Sequence, residues 1–221
     1  MEFFYCVNRQ LLRIILRSYF RISVQGVDHI PSTGAVLLAA NHCSYLDPPL
    51  IAIETSRQIT FLAKEEIFSL PICRWWLHHV GVHPVARNRG DARAVLSALR
   101  LLRQEKALLV FPEGTRTFDG ELQPLEVGVA WLSIKSGVPV VPLYLSGTFR
   151  AFPRKAWFPR PVRLKMGFGP PINPEKIAPE SDLRERATAF NERLRGELVR
   201  LKIMLEEKNV IETPSERLNT P

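Results

Sequence analysis

His42 and Asp47 are the residues whose types and spacing are best suited to chemistry in this 221-residue chain. A neutral imidazole, with a reference pKa of ~6.5, can take a proton from a hydroxyl near neutral pH. A carboxylate beside it can hold the ring in one tautomer and stabilise the imidazolium. Both residues stand in Asn41-His42-Cys43-Ser44-Tyr45-Leu46-Asp47-Pro48, directly after the apolar run of residues 35–40. Such a run reads as a buried strand, and Pro48 and Pro49 mark a helix start. The motif therefore falls on a strand end and the loop after it, where open α/β sheets keep their ligands. Positions five apart on a continuous helix diverge, so His42 must lie in the loop if the pair is to meet. The competing reading puts Asp47 at the N-cap before an N1 proline, a role that needs no catalysis.

A second stretch has the same layout. The apolar residues 107–111 run straight into Pro112-Glu113-Gly114-Thr115-Arg116-Thr117. Gly114 can take backbone angles closed to other residues and lets a ligand approach, while Arg116 offers a planar fork suited to phosphate and Glu113 an acceptor. A plain turn with a surface ion pair is the alternative. Lys64 and Arg87 also follow apolar runs, at 59–63 and 82–85, and would bring positive charge to strand ends. For Lys64 a solvated side chain beside Glu65 and Glu66 competes with a binding role, and for Arg87 a solvated loop does. His78, His79 and His83 make no metal set, because Gly81 and Pro84 break any shared helical face. No metal site is expected.

The elements that must position these residues follow from hydrophobic period. Strands are expected near residues 22–27, 35–40, 59–63, 82–85, 107–111, 138–145 and 163–168. Helices are expected over 2–22, from Pro48, over 71–80, 91–104, 127–136 and 181–207. Strands alternating with helices point to an α/β fold, a single layered domain with a mostly parallel mixed sheet flanked by helices. It spans residues 23–208, preceded by an amphipathic helix at 1–22 and followed by a mobile tail at 209–221. In the first helix Arg9, Arg13, Arg17 and Arg21 form one drifting row. That row suits a membrane interface, with arginines pairing with lipid phosphates. An ordinary helix packed on the domain is the other reading. Residues 150–163 interleave Arg150, Arg154, Lys155, Arg160 and Arg163 with Phe152, Trp157 and Phe158, a composition that fits a membrane interface or single-stranded nucleic acid, and equally a loop that packs on the domain.

Composition narrows the partners. At 46% hydrophobic the chain can bury one sizeable core, and 30 lysines and arginines against 22 acidic residues give a net charge of +8 that draws anions. Three scattered cysteines imply no disulfide framework and favour a reducing compartment. Neither a secretory leader nor a spanning helix is legible, so the expected location is peripheral or monotopic on the cytoplasmic face of a membrane.

Taken together, residues 41–47 and Phe111-Pro112-Glu113-Gly114-Thr115-Arg116-Thr117 resemble the two signature blocks of the glycerolipid acyltransferases, the 1-acylglycerol-3-phosphate acyltransferases above all. Residues 81–87 look like a weaker block ending in arginine, and Val138-Pro139-Val140-Val141-Pro142 is similar to the last one, so the four occur in family order. An HxxxxD pattern alone is weak, but with FPEGTR at this separation it is highly specific. The resemblance implies acyl transfer from acyl-CoA or an acyl carrier protein to the free hydroxyl of a lysophospholipid, without a cofactor or nucleic acid. It makes His42 the base, Asp47 its orienter, and Glu113, Gly114 and Arg116 the binders of the glycerophosphate, with Lys64 and Arg87 as further phosphate ligands. Cys43 occupies a position that the family leaves variable, which implies direct transfer without an acyl-enzyme. The chain departs from the family at Glu126, in place of a basic residue near the following glycine. Other lysophospholipid or glycerol 3-phosphate acceptors, a thioesterase, or a non-catalytic lipid-binding module are the alternatives.

Overall fold

The computed structural model describes residues 2–64, 81–85 and 92–207. The described strands are β1 (Arg21–Gln25), β2 (Val36–Ala40), β3 (Ile59–Lys64), β4 (Val82–Val85), β5 (Ala107–Val110), β6 (Val140–Ser146) and β7 (Arg163–Phe168). They form one sheet in the order β1-β7-β6-β2-β5-β3-β4. Every neighbouring pair is parallel except β6 and β7, which run antiparallel. The sheet is thus mostly parallel and mixed, as the alternation of elements predicts. Of the expected helices, the one at 71–80 lies outside the described residues, as does the tail from 209.

β2 lies between β5 and β6 with helices packed on both faces of the sheet, and all five of its residues are apolar and buried. A two-sided burial of this kind produces a continuous apolar run instead of alternation. Its side chains still alternate between two cores. Val36, Leu38 and Ala40 join Leu16 and Phe20 of α1 (Glu2–Tyr19) and its C-terminal flank, and Leu50, Ile51 and Ile53 of α2 (Asp47–Glu54). Leu37 and Ala39 join the helices of the opposite layer: α3 (Ala92–Arg103), α4 (Gly128–Ser136) and α6 (Leu183–Glu207). A short helix, α5 (Thr148–Ala151), follows β6. Phe190, Leu194 and Leu198 of α6 are fully buried at steps of four, the stripe expected of a helix that covers a sheet.

The first helix packs on the domain, and three of its arginines reach the C-terminal end of α2. Arg9 Nη1 donates to the carbonyl of Thr55 at 2.7 Å, and Arg17 grips Glu54 with two hydrogen bonds of 2.8 and 2.6 Å. Arg13 adds an ion pair to the same carboxylate at 3.6 Å. These three arginines are therefore directed at the end of α2, with the side chains of Arg13 and Arg17 still 41% and 42% exposed. Among the residues that α1 leaves exposed are the large apolar side chains Val7, Leu11, Ile14 and Ile15, with Ile14 at 67%, beside Gln10, Arg17 and Ser18. Tyr5 and Leu16 pack inward, as does Phe20 just after the helix. Glu54 is the physical reason, because a buried carboxylate at the end of α2 requires cations and the helix supplies them.

Candidate active site

Parallel pairing brings the two motif-bearing loops together. Ala39 of β2 is in register with Val110 of β5, so residues 41–47 and 111–117 leave the sheet side by side at one edge. Asn41 prolongs the sheet beyond its last rung. Its side-chain amide donates to the carbonyl of Leu145 at 3.0 Å and accepts from the Leu145 N–H at 2.7 Å, repeating a main-chain pair. Motif reading passes over Asn41, although a buried amide at a strand end is the kind of residue that needs such a partner.

His42 comes next. Its Nδ1 lies 2.9 Å from Asp47 Oδ2, and the same oxygen accepts the main-chain N–H groups of Cys43 and Ser44, each at 2.7 Å. A carboxylate oxygen in that position accepts a hydrogen bond from Nδ1–H, which leaves the lone pair on Nε2. Among the described residues no partner occupies Nε2. Asp47 is wholly buried, while His42 retains a partly exposed side chain. The expected N-cap role of Asp47 gives way to another: helix α2 starts at Asp47, Leu46 is the cap residue, and the carboxylate folds back to residues 42–44 instead of capping its own helix. The Phe111 ring stacks on the imidazole with centroids 3.8 Å apart and planes 15° apart.

The second loop holds His42 by its main chain. Glu113 Oε1 accepts the His42 N–H at 2.7 Å, and the His42 carbonyl accepts the Thr117 N–H at 2.8 Å. The other Glu113 oxygen accepts the Gln123 N–H at 2.8 Å. Both oxygens of this buried carboxylate thus face protein N–H groups. Burial pushes its pKa up, against the two hydrogen bonds that pull it down. Gly114 takes a positive φ of 67°, which favours glycine, and its N–H closes a turn onto Phe111 at 3.0 Å. A side chain there would meet Glu126, whose Cγ lies 3.6 Å from the Cβ position. The departure at Glu126 therefore stands beside the loop whose glycine it flanks.

Arg116 lies over the ring of Tyr45, its Cζ 3.5 Å from the centroid. Its Nη1 is buried without a hydrogen-bond partner among the described residues. Arg154 clasps this loop from outside, donating to the Arg116 carbonyl at 2.9 Å and to Thr115 Oγ1 at 3.1 Å while stacking on Phe118. Neither Tyr45 nor Arg154 stands out in the sequence as a site residue. Their only signal is an aromatic inside the first motif and an arginine in the basic and aromatic loop. Lys64 ends β3, whose Phe61 is in register with Leu109 of β5, so its backbone reaches the same edge. Arg87 lies outside the described residues. Cys43 is buried near Asp47 and Glu113, and burial first, then those carboxylates, push its thiol far above the ordinary range. A thiol held protonated is a poor nucleophile. Among the described residues no cluster of His, Cys, Asp and Glu is arranged to hold a metal ion.

A family model described as acyltransferase matches residues 21–146, more than half of the chain and both loops. The chain belongs to the acyltransferase family. Within it, the chain is 29% identical over 155 residues to 1-acyl-sn-glycerol-3-phosphate acyltransferase BAT2, chloroplastic, of Brassica napus, covering 69% of this chain and 45% of that protein. It is 30% identical over 185 residues to 1-acyl-sn-glycerol-3-phosphate acyltransferase alpha of Mus musculus, covering 78% and 64%. The chain thus spans less than two thirds of the length of either relative. The crystal structure of the 1-acyl-sn-glycerophosphate acyltransferase PlsC from Thermotoga maritima shares the fold, with a TM-score of 0.76 at 23% identity over 96% of this chain and 81% of that one.

Proposed function

We propose that this acyltransferase moves an acyl group from an acyl thioester to the free hydroxyl of 1-acylglycerol 3-phosphate, giving phosphatidate. The observation that carries the reading is the His42 and Asp47 pair, with Nε2 unpartnered among the described residues and Arg116 on the adjoining loop. Nε2 takes the acceptor's hydroxyl proton as its oxygen bonds to the thioester carbonyl carbon. The tetrahedral intermediate then breaks its C–S bond, and the imidazolium returns the proton to the departing thiolate. Asp47 stabilises the imidazolium between these steps. No acyl-enzyme is needed, in keeping with the buried Cys43 thiol.

Arg116 is read as the ligand of the acceptor phosphate, because a buried guanidinium nitrogen without a partner calls for an acceptor. Lys64 and Arg87 are proposed to add charge to the same phosphate. For Glu113 the geometry favours a positioning role over contact with the glycerophosphate, since both oxygens hold main-chain N–H groups. The donor is acyl-CoA or an acyl carrier protein. Names of relatives support the acceptor: the proteins of Brassica napus and Mus musculus are both called 1-acyl-sn-glycerol-3-phosphate acyltransferases.

The same reading seats the protein on the cytoplasmic surface of a membrane without crossing it. Among the described residues no helix is long and apolar enough to span one. The apolar stripe of α1 and the exposed Trp157 (93%) and Phe158 (82%) supply side chains that enter the interface. The deciding assay crosses acyl-CoA and acyl carrier protein donors with lysophosphatidate, glycerol 3-phosphate and lysophosphatidylcholine. Phosphatidate formed from lysophosphatidate with either donor is the expected result, and transfer confined to the other acceptors would overturn it. Glu126, an acid beside the Gly114 loop, is the reason for including the choline acceptor.

A further inference from the structure

The segment that follows α5 grips both motif loops. Residues 151–160 form a closed loop, with the Arg160 N–H donating to the Ala151 carbonyl at 2.7 Å across its base. Inside it the Ala156 N–H closes a turn onto the Pro153 carbonyl at 3.0 Å. Compact surface loops with adjacent ends hold their own shape and often serve function. The first contact is with the loop that carries His42. Ser44, wholly buried, donates its hydroxyl to the Phe152 carbonyl at 2.8 Å and accepts the Leu46 N–H at 3.2 Å. The second contact is with the loop that carries Arg116. Arg154 Nη2 donates to the Arg116 carbonyl at 2.9 Å and to Thr115 Oγ1 at 3.1 Å, and its guanidinium lies over the Phe118 ring, 4.1 Å from the centroid. One side chain thus holds three residues of the second loop.

We propose that Arg154 is a positioning residue for the acceptor phosphate, acting through Arg116, with the loop of residues 152–159 as the strap that keeps it in place. The inference deepens the reading of Arg116 as the phosphate ligand and rests on it. The decisive element is the peptide unit between Arg116 and Thr117, which is a rigid plane. Its N–H donates to the His42 carbonyl at 2.8 Å, and its carbonyl accepts from Arg154 at 2.9 Å. Both ends of the plane are therefore fixed, one by the residue that carries the base and the other by the strap. The Arg116 side chain leaves the backbone at this plane, so its direction relative to His42 is set there. Beyond that point the side chain is held by the Tyr45 ring, with Nη1 buried and without a partner among the described residues. Ser44 completes the arrangement, because it ties the residue two before Arg154 to the loop of His42. The clasp on Arg116 is thus referred to the same loop as the base. The bonded nitrogen of Arg154 is committed to protein acceptors, which points to action through Arg116 and not to contact with phosphate.

The test is steady-state kinetics of the whole chain with lysophosphatidate and acyl-CoA or acylated carrier protein, whichever the wild type uses. Arg154→Ala should raise the KM for lysophosphatidate about tenfold and leave kcat and the KM for the donor within about twofold. Phe118→Ala removes only the ring beneath Arg154 and should raise the same KM about threefold. Lys155→Ala removes the same charge at the exposed next position of the strap and should change it by less than about twofold. A double-mutant cycle separates positioning from contact. Added to Arg116→Ala, Arg154→Ala should raise the KM by less than about twofold more, because the group that it positions is gone. A further rise of about tenfold would make Arg154 a ligand of the phosphate itself, and an equal effect of Lys155→Ala would reduce the effect to net charge. Either result would overturn the proposal. If Arg154→Ala does not fold, Phe118→Ala carries the same cycle with its threefold effect. Hydrogen exchange without substrate reads the clasp independently of the assigned reaction. Arg154→Ala should speed exchange at Thr117, whose N–H belongs to the clasped peptide unit, about tenfold, and unchanged exchange would overturn the clasp. Faster exchange, with no rise in the KM for lysophosphatidate in Arg116→Ala, would defeat Arg116 as the phosphate ligand and with it the phosphate assignment, while the clasp would stand.

Discussion

Glu113 Oε1 lies 2.7 Å from the main-chain nitrogen of His42, across 71 residues of sequence, and fixes the candidate base from behind. The other oxygen of the same carboxylate is bonded to Gln123, so the group spans two loops as a bracket. Such a bracket acts on catalysis through geometry.

Glu113→Gln keeps the shape but offers only one acceptor oxygen for two N–H groups. We expect kcat to fall about a hundredfold, the scale of a misplacement near 1 Å, with the KM for lysophosphatidate within about twofold of wild type. Steady-state kinetics on both substrates check this. A large rise in KM for lysophosphatidate with kcat unchanged would restore Glu113 to the phosphate.

His42→Ala should lower kcat at least about 10²- to 10⁴-fold without unfolding the chain, because the ring is partly exposed and ends no helix. Asp47→Asn should lower kcat to a similar extent and also lower the melting temperature, since its buried oxygen satisfies three N–H donors. Activity and thermal unfolding of the two variants together separate catalysis from structure.

Arg116→Ala should raise the KM for lysophosphatidate far more than that for the acyl donor. Tyr45→Ala, which removes the ring under the guanidinium, should give a smaller rise of about fivefold, the value of a cation–π contact near 1 kcal/mol. Equal changes in both KM values would count against Arg116 as a phosphate ligand.

The pH dependence of stability carries its own test. The carboxyl pKa of Glu113 is raised by burial above its ordinary 4.5. Stability associated with this group is fully present below the unfolded value and is lost as pH rises through the folded one. Glu113→Gln removes that loss, so its stability relative to wild type should increase as pH rises from 4.5 through the raised value. Urea unfolding of both proteins across this range measures the trend, and parallel curves would contradict it.

Much of this architecture is legible because it is written in local pattern. The run at β2, the strand ends before His42 and before Pro112, and the stripe of α6 all follow from apolar spacing that the structure keeps. The arginine row of α1 shows where such reading stops. Period reveals that a helix has two faces, but only the partner shows which face turns inward, and here Glu54 at the end of α2 draws the arginines in. Asp47 misleads in a related way. Its place before two prolines is that of a cap, yet its Oδ2 is taken by residues upstream, a contact that no propensity expresses. The brackets from Glu113 to His42 and from Asn41 to Leu145 join segments 71 and 104 residues apart, and sequence distance hides both.

The Asn41 amide has one more implication, and it concerns time. By pairing with Leu145 as a strand residue would, it welds the first residue of the candidate loop to the centre of the sheet, and core strands are generally the last elements to open. The imidazole one residue later is tethered to the slowest-moving part of the molecule. Amide exchange at Leu145 should be as slow as that within β2, and removal of the side-chain amide would let the loop exchange on its own clock.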